Sequence, residues 1–93
     1  MKFEWNDAKS ADCFAKRGFD FAYVIRVFVD PKRMIRQDER KSYGEERYQL
    51  FGCIDERLFV IVFTYRGDAI RIISARKANA REVRAYEDSS GNN

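Results

Sequence analysis

The chain has 93 residues, of which 45% are hydrophobic and 35% charged, and this composition predicts a single soluble globular domain rather than a disordered chain. Its longest apolar run, 58–65, is much shorter than the roughly 20 residues that a membrane span needs. The N-terminus lacks the apolar segment of a signal peptide, so a cytoplasmic protein without membrane contact is expected. The net charge of +3 permits nucleic-acid binding without requiring it.

The sequence contains no histidine. This excludes histidine acid–base catalysis, Ser–His and Cys–His nucleophile pairs and nearly every zinc site. The two cysteines, Cys13 and Cys53, are too few to hold a metal alone and are expected to be reduced and buried. We therefore predict no metal and no cofactor.

The first third of the chain predicts a short strand and two helices. Phe3–Trp5 alternates apolar and polar residues as a strand does. A first helix is expected over 7–16, between a cap at Asn6 and a stop at Gly18. Asp20 then caps a second helix, whose apolar residues recur at helical spacing until the chain reaches Asp30-Pro31.

The rest of the chain predicts three consecutive strands and a third helix. A strand near 32–36 followed by a polar loop is left open. The strands are expected at 47–53, 58–65 and 69–76, joined by short turns. Asn79 and Glu82 form a capping-box pattern that begins a helix ending near residue 87.

This order predicts an α+β fold: an antiparallel meander with two N-terminal helices and one C-terminal helix. One domain would cover 1–87, with a flexible tail at 88–93. The phenylalanines at core spacing are expected to be buried, and these are Phe14, Phe21, Phe28, Phe51, Phe59 and Phe63. The aromatic residues left for stacking on nucleic-acid bases would be Trp5, Tyr43, Tyr48 and Tyr86.

A basic cluster at the end of the last strand is the main candidate site. It contains Arg71, Ser74, Arg76 and Lys77, and Arg81 and Arg84 of the following helix extend it. In a regular strand Arg71 and Arg76 face opposite sides, so either a β-bulge or a position of Arg76 beyond the strand end is needed to bring them together. An exposed strand face covered by solvated arginines remains the alternative.

Several separate features resemble one known family. They include Phe3-Glu4-Trp5 followed by Lys9, Lys16-x-Gly18 before Phe21, Val27-Phe28 with Asp30-Pro31, and Gly44-Glu45-x-Arg47 before Gly52. The most specific feature is the run RIISARKA at 71–78, followed by Arg81-Glu82 and Tyr86. In this order they resemble the BrnT family of toxins, the ribonuclease half of bacterial type II toxin–antitoxin pairs.

The resemblance implies a RelE-like fold and a metal-independent endoribonuclease that cleaves RNA and stops translation and growth. It also implies a BrnA-like antitoxin of the ribbon-helix-helix class, and a toxin–antitoxin complex that binds its own operator DNA. For such a reaction we expect Arg47, Arg71 and Arg76 to bind the phosphate and its transition state. Glu45 is the candidate base, Tyr86 or Lys16 the candidate acid or orienting group, and the RNA-binding candidates are Lys16, Arg17, Lys77 and Arg81.

One position departs from the family pattern. The family usually has Lys-His-Gly where this chain has Lys16-Arg17-Gly18. A guanidinium does not release its proton near neutral pH, so Arg17 would bind phosphate rather than transfer protons. The alternative to an enzyme is therefore a non-catalytic module that binds nucleic acid or protein and retains its antitoxin.

Overall fold

A computed structural model describes residues 1–40 and 44–91. The chain forms, in order, β1 (Lys2–Trp5), α1 (Asp7–Arg17), α2 (Phe21–Val24), a 3-10 helix (Ile25–Val29), β2 (Met34–Asp38), β3 (Arg47–Ile54), β4 (Arg57–Arg66), β5 (Ala69–Lys77) and α3 (Ala80–Gly91). The α+β class is therefore confirmed, and the undecided segment after Pro31 contains a strand.

The strands form one sheet in the order β1-β5-β4-β3-β2. The prediction of a wholly antiparallel meander is wrong, because β1 pairs with β5 in parallel. In this register Phe3 lies beside Ile70 and Trp5 beside Ile72, so the apolar residues of both strands cover the same core. Alternation within a strand predicts which face a residue occupies but not which strand lies next to it. The RelE-like topology stays a prediction.

The N-terminal helices begin where the capping residues predict. The Asn6 side chain accepts a hydrogen bond from the Lys9 N–H at 3.0 Å, and Gly18 ends α1 with φ 84°. Asp20 accepts from the Tyr23 N–H at 2.9 Å, but α2 is one turn long and continues as a 3-10 helix. The predicted continuous second helix is thus wrong. Its valines and isoleucine are weak helix formers, and the tighter 3-10 turn brings Val27 against the sheet.

The third helix starts at the predicted capping box. The Asn79 N–H donates to Glu82 Oε1 at 2.9 Å, and the Glu82 N–H donates to Asn79 Oδ1 at 2.8 Å. The helix extends to Gly91, further than the sequence predicts, so residues 88–91 belong to it. Asn92 and Asn93 lie outside the described residues.

The apolar side chains form two clusters, one on each face of the sheet. The larger packs α1, α2 and the 3-10 helix against Phe59, Ile61 and Phe63 of β4. The smaller packs Tyr86 of α3 against Phe51, Leu58 and Val60. Both cysteines are free; Cys13 is buried and Cys53 partly buried.

Two aromatic predictions are corrected by these clusters. Phe14 is 59% exposed, although its spacing in α1 predicts burial. Tyr86 is buried and is therefore not open for stacking. Trp5 is partly buried and packs edge-on against Phe21 at 6.4 Å between ring centroids, and its stacking on bases stays a prediction. Tyr43 lies outside the described residues. None of the helices formed by residues 1–40 and 44–91 combines the length and apolar composition of a bilayer-spanning helix.

Gly52 of β3 allows the 3-10 helix to approach the sheet closely. A Cβ at this position would lie 2.5 Å from Val27 Cγ1, 3.2 Å from Val27 O and 3.3 Å from Asp30 Oδ2. The distance to Val27 Cγ1 is far below van der Waals contact. Val27 O belongs to the backbone, so it cannot move away by a side-chain rotation.

We expect Gly52→Ala to destabilise the protein by about 2 kcal/mol, because the added methyl group overpacks this contact. Urea unfolding followed by circular dichroism measures the change. Gln37→Ala, on the exposed surface of the edge strand β2, is the control and should leave stability within about 0.5 kcal/mol. Equal stability of the Gly52→Ala variant would contradict the close packing of Val27.

Candidate active site on the arginine face

A β-bulge in β5 decides which basic residues share a surface. Val62 of β4 pairs with Ser74, but the next residue, Phe63, pairs with Ile72, so Ile73 is an extra residue in β5. Arg71 therefore lies opposite Thr64 and Arg76 opposite Val60. These two β4 residues are on the same face of the sheet, so Arg71 and Arg76 are too. Of the two alternatives that the sequence left open, the structure shows the bulge, and Arg76 lies within β5.

Arg36 and Arg47 join them on this face. Arg36 pairs with Gln49, and Gln49 pairs with Val62, so both lie on the side that carries Ser74. Arg47 precedes Gln49 by two residues and has the same orientation. Strand spacing separates Arg71 from Arg76 by about 13 Å along the sheet and β3 from β5 by about 10 Å across it. We call this surface, formed by Arg36, Arg47, Arg71 and Arg76, the arginine face.

Three of the four arginines are bound to carboxylates. Arg71 Nη1 donates to Glu4 Oε2 at 2.8 Å across the parallel strand pair. Arg47 donates through Nε and Nη2 to Glu45 Oε2, both at 3.3 Å. Arg76 donates through both Nη atoms to Glu82, each at 2.8 Å. Each guanidinium is thereby held in a defined orientation on the sheet.

Glu82 links the start of α3 to the arginine face. Its carboxylate binds Arg76 and also accepts the Asn79 N–H of the capping box. The hydrogen bonds from Arg76, together with that of Asn79 and against the opposing effect of burial, lower the pKa of Glu82 to about 2. The same pair raises the pKa of Arg76. Glu82 therefore remains ionised throughout the physiological range.

Arg36 is a site residue that the sequence argument missed. Its Nε donates to Gln49 Oε1 at 3.0 Å, and its guanidinium carbon lies 4.9 Å from the centroid of the Phe51 ring. Within residues 1–40 and 44–91, no carboxylate lies within ion-pair distance of it. The alternation of Met34, Arg36 and Asp38 was the available signal, but it required knowing that this segment is a strand.

The predicted base and acid occupy different surroundings. Glu45 lies before β3 and is bound by Arg47 at 3.3 Å and by Arg66 at 3.8 Å. Tyr86 is buried in α3, and its hydroxyl donates to Asp30 Oδ2 at 2.6 Å. Burial and this hydrogen bond raise the pKa of Tyr86 far above its ordinary value. Its phenol is held by Asp30 and not by the carboxylates or arginines described above.

Asp30 is the acceptor that fixes Tyr86. Its carboxylate also accepts the Cys53 N–H at 2.7 Å and the Lys32 N–H at 2.9 Å. Burial alone would raise the pKa of Asp30, but the hydrogen bonds from Tyr86, Cys53 and Lys32 lower it. The ionised carboxylate thus joins the end of the 3-10 helix, strand β3 and helix α3.

The predicted RNA-binding cations lie at three separate positions. Arg17 and Lys77 line a shallow hollow together with Phe19 and Arg76, which brings the end of α1 beside the end of β5. Lys16 is instead bound to Asp12 one helical turn away at 3.0 Å. Arg81 is exposed on the first turn of α3.

We expect Glu82→Gln to lower the free energy of unfolding by about 1 kcal/mol at pH 6, since Gln retains the cap but loses the ion pair with a half-exposed arginine. A carboxylate with a lowered pKa stabilises the fold above its unfolded pKa near 4.5, and loses this effect as pH falls toward 2. The difference between wild type and variant should therefore shrink between pH 4.5 and 3.

Urea unfolding at pH 6, 4 and 3 measures this difference. Glu87→Gln, on an exposed part of the same helix, is the matched control and should unfold like the wild type at each pH. A difference between wild type and Glu82→Gln that stays constant with pH would contradict the assigned ion pair.

The sequence was compared with known proteins. Residues 5–82 match the family described as the ribonuclease toxin BrnT of type II toxin–antitoxin systems. No curated protein matches the sequence significantly. The matched range contains the bulge and all four residues of the arginine face, and it includes Glu82. The chain belongs to the BrnT family of ribonuclease toxins of type II toxin–antitoxin systems.

Proposed function

We propose that the protein is a metal-independent endoribonuclease whose arginine face holds the scissile phosphate of RNA. The observation that carries this proposal is the bulge at Ile73, which gives Arg71 and Arg76 the same orientation as Arg47. Cleavage by such an enzyme removes translatable RNA and stops growth.

The reaction uses the nucleophile that RNA supplies. The 2′-hydroxyl attacks the adjacent phosphorus and loses its proton to a base, and a new P–O bond forms. The bond to the 5′-oxygen of the next nucleotide breaks, and that oxygen takes a proton. The products are a 2′,3′-cyclic phosphate and a 5′-hydroxyl. In the transition state, five oxygens surround the phosphorus and carry extra negative charge. Guanidinium groups held in fixed positions stabilise this charge.

The ion pairs of the arginines are compatible with this role. A guanidinium has five N–H donors, and Arg71 uses a single Nη1 bond to Glu4 among the described contacts. The remaining donors are available to a phosphate while the carboxylate keeps the group oriented. Arg36, which has no carboxylate partner in the described part of the chain, adds positive charge beside Gln49.

Two carboxylates are candidates for the base. Glu45 lies beside Arg47, and Glu4 lies beside Arg71 on the same face. We assign the base to Glu45, which lies before β3 and outside regular strand structure, whereas Glu4 is fixed within β1. Tyr86 and its bond to Asp30 are assigned to folding, and the leaving oxygen takes its proton from water. Lys16, Arg17, Lys77 and Arg81 are assigned to RNA binding.

The partner implied by the family is an antitoxin. We propose that it is a ribbon-helix-helix protein whose flexible segment covers the arginine face, and that the complex binds operator DNA through the antitoxin. An acidic segment would replace Glu4 and Glu45 as ligands of the arginines and would compete with RNA.

We expect the purified protein to cleave single-stranded RNA in EDTA and to leave 2′,3′-cyclic phosphate ends. Arg71→Ala and Arg76→Ala should each reduce the cleavage rate about 100-fold, because each removes a donor to the charged transition state. Glu45→Gln should lower the rate more than Glu4→Gln does. Rates are measured on a fluorescent oligonucleotide, with end groups identified by mass spectrometry.

Arg26→Ala is the matched control, since Arg26 is an exposed arginine of the 3-10 helix, which packs on the side of the sheet opposite the arginine face. It should cleave RNA at the wild-type rate. Loss of cleavage in EDTA, or products without cyclic phosphate ends, would contradict the mechanism. Salt-sensitive RNA binding without any cleavage would instead favour the non-catalytic binding module.

A ribbon-helix-helix antitoxin should restore growth to cells expressing the wild-type chain. Binding of antitoxin and of RNA should be mutually exclusive in a competition assay, because both need the arginine face. Simultaneous binding would contradict the assignment of this surface to the antitoxin. Expression of Arg76→Ala alone, which should not stop growth, is the control for toxicity unrelated to cleavage.

A further inference from the structure

A cavity of about 660 Å³ opens at the end of the sheet, apart from the arginine face. It lies between the last turn of α1 and the turn that joins β3 to β4. Gly18 ends α1 with φ 84°, which turns Phe19 into the core and leaves space beside it. The aromatic residues that line this space are Phe14, Phe19, Tyr23 and Phe59.

Phe14 is the exposed aromatic surface of this cavity. Its side chain is 59% exposed, whereas Phe19 and Phe59 are buried in the core. Phe14 stands on the last turns of an eleven-residue helix, so its position is fixed by the helix backbone. A phenyl ring at the mouth of a cavity is a surface on which a flat aromatic ligand can stack.

The charged residues of the cavity favour an anion. Three cations line it, and they are Arg17, Arg57 and Lys77. In the described part of the chain, none of the three has a carboxylate within ion-pair distance. The two acids of the lining are already engaged: Asp20 caps α2 through the Tyr23 N–H, and Asp55 lies 3.9 Å from Arg26.

The cavity is continuous with the arginine face through a shallow hollow. Arg17, Phe19 and Lys77 line both the cavity and this hollow, and Arg76 is the fourth residue of the hollow. A chain of nucleotides that binds Arg76 can therefore extend past Lys77 toward Phe14. An aromatic face beside several cations matches the base and the phosphate of one nucleotide.

We infer that this cavity holds one unpaired RNA nucleotide flanking the scissile phosphate, with its base stacked on Phe14 and its phosphate bound by Arg17, Arg57 and Lys77. The base must be unpaired, because a base within a duplex does not present its face to a side chain. The inference rests on the proposed function and extends it by assigning a second contact site, for an unpaired nucleotide, outside the arginine face. Binding in the cavity does not itself require cleavage.

The test measures binding of a fluorescent, all-2′-O-methyl RNA dodecamer, which lacks the 2′-hydroxyl nucleophile. Phe14→Ala should weaken this binding at least fivefold, because loss of a stacked base lowers affinity. Phe14→Trp should retain binding, because its ring also stacks. Val29→Ala removes an exposed apolar side chain elsewhere and should bind like the wild type. Circular dichroism and thermal unfolding check that each variant is folded.

A second measurement tests the phosphate contact. Arg57→Ala should weaken binding and reduce the slope of log affinity against log salt concentration by about one. Arg33→Ala removes an exposed arginine that lines neither the cavity nor the hollow, and it should leave the slope unchanged. Photocrosslinking of RNA that contains 5-iodouridine should identify Phe14 or a residue lining the same cavity.

The outcomes separate this inference from the proposed function. If wild type cleaves RNA and Phe14→Ala binds and cleaves it equally well, the nucleotide site is wrong and the nuclease proposal stands. If Phe14→Ala loses RNA binding although wild type cleaves no RNA, the site is supported and the nuclease proposal fails. A Phe14→Ala variant that binds RNA normally but loses antitoxin affinity would assign the cavity to the protein partner and overturn the inference.

Discussion

One extra residue in β5 determines which arginines share a face of the sheet. Trp5 and Ile72 form the last pair between β1 and β5, and the bulge at Ile73 follows directly. Beyond this point β5 has lost its parallel neighbour, so its backbone is free to accommodate the additional residue. The shift of one position turns Arg76 toward the face that carries Arg71. Without it, the alternation of side chains would place the two guanidinium groups on opposite sides of the sheet.

Local patterns predicted the parts of this fold that depend on nearby residues. The caps at Asn6 and Asp20 and the box formed by Asn79 and Glu82 involve backbone groups three residues away, so sequence alone identifies them. The parallel pairing of β1 and the bulge depend on contacts between distant segments, which alternation does not encode. Phe14 illustrates the same limit. Helical spacing assigns it to the core, but the buried residues of α1 are Ser10 and Cys13, and Phe14 lies at an open cavity.

The interaction of Tyr86 with Asp30 explains why a tyrosine beside an arginine cluster need not take part in catalysis. Asp30 is ionised and accepts donors from the phenol and from two backbone N–H groups, which compensates its partial burial. The bond attaches α3 to the edge of β3, and Gly52 leaves room for the 3-10 helix that carries Asp30. Because α3 is fixed in this way, Glu82 at its first turn is held against Arg76. The phenol thus contributes to the site by positioning a helix.

The charges divide the surface into two regions. Arg47, Arg71 and Arg76 are bound to carboxylates, which orient their guanidinium groups. Arg17, Arg57 and Lys77 have no carboxylate within ion-pair distance in the described part of the chain. In the proposed function, these three cations would hold the RNA strand while the arginine face contacts the reacting phosphate. Only interactions that strengthen as negative charge develops on the phosphate accelerate such a reaction, and Arg71 keeps N–H donors for them because a single bond joins it to Glu4.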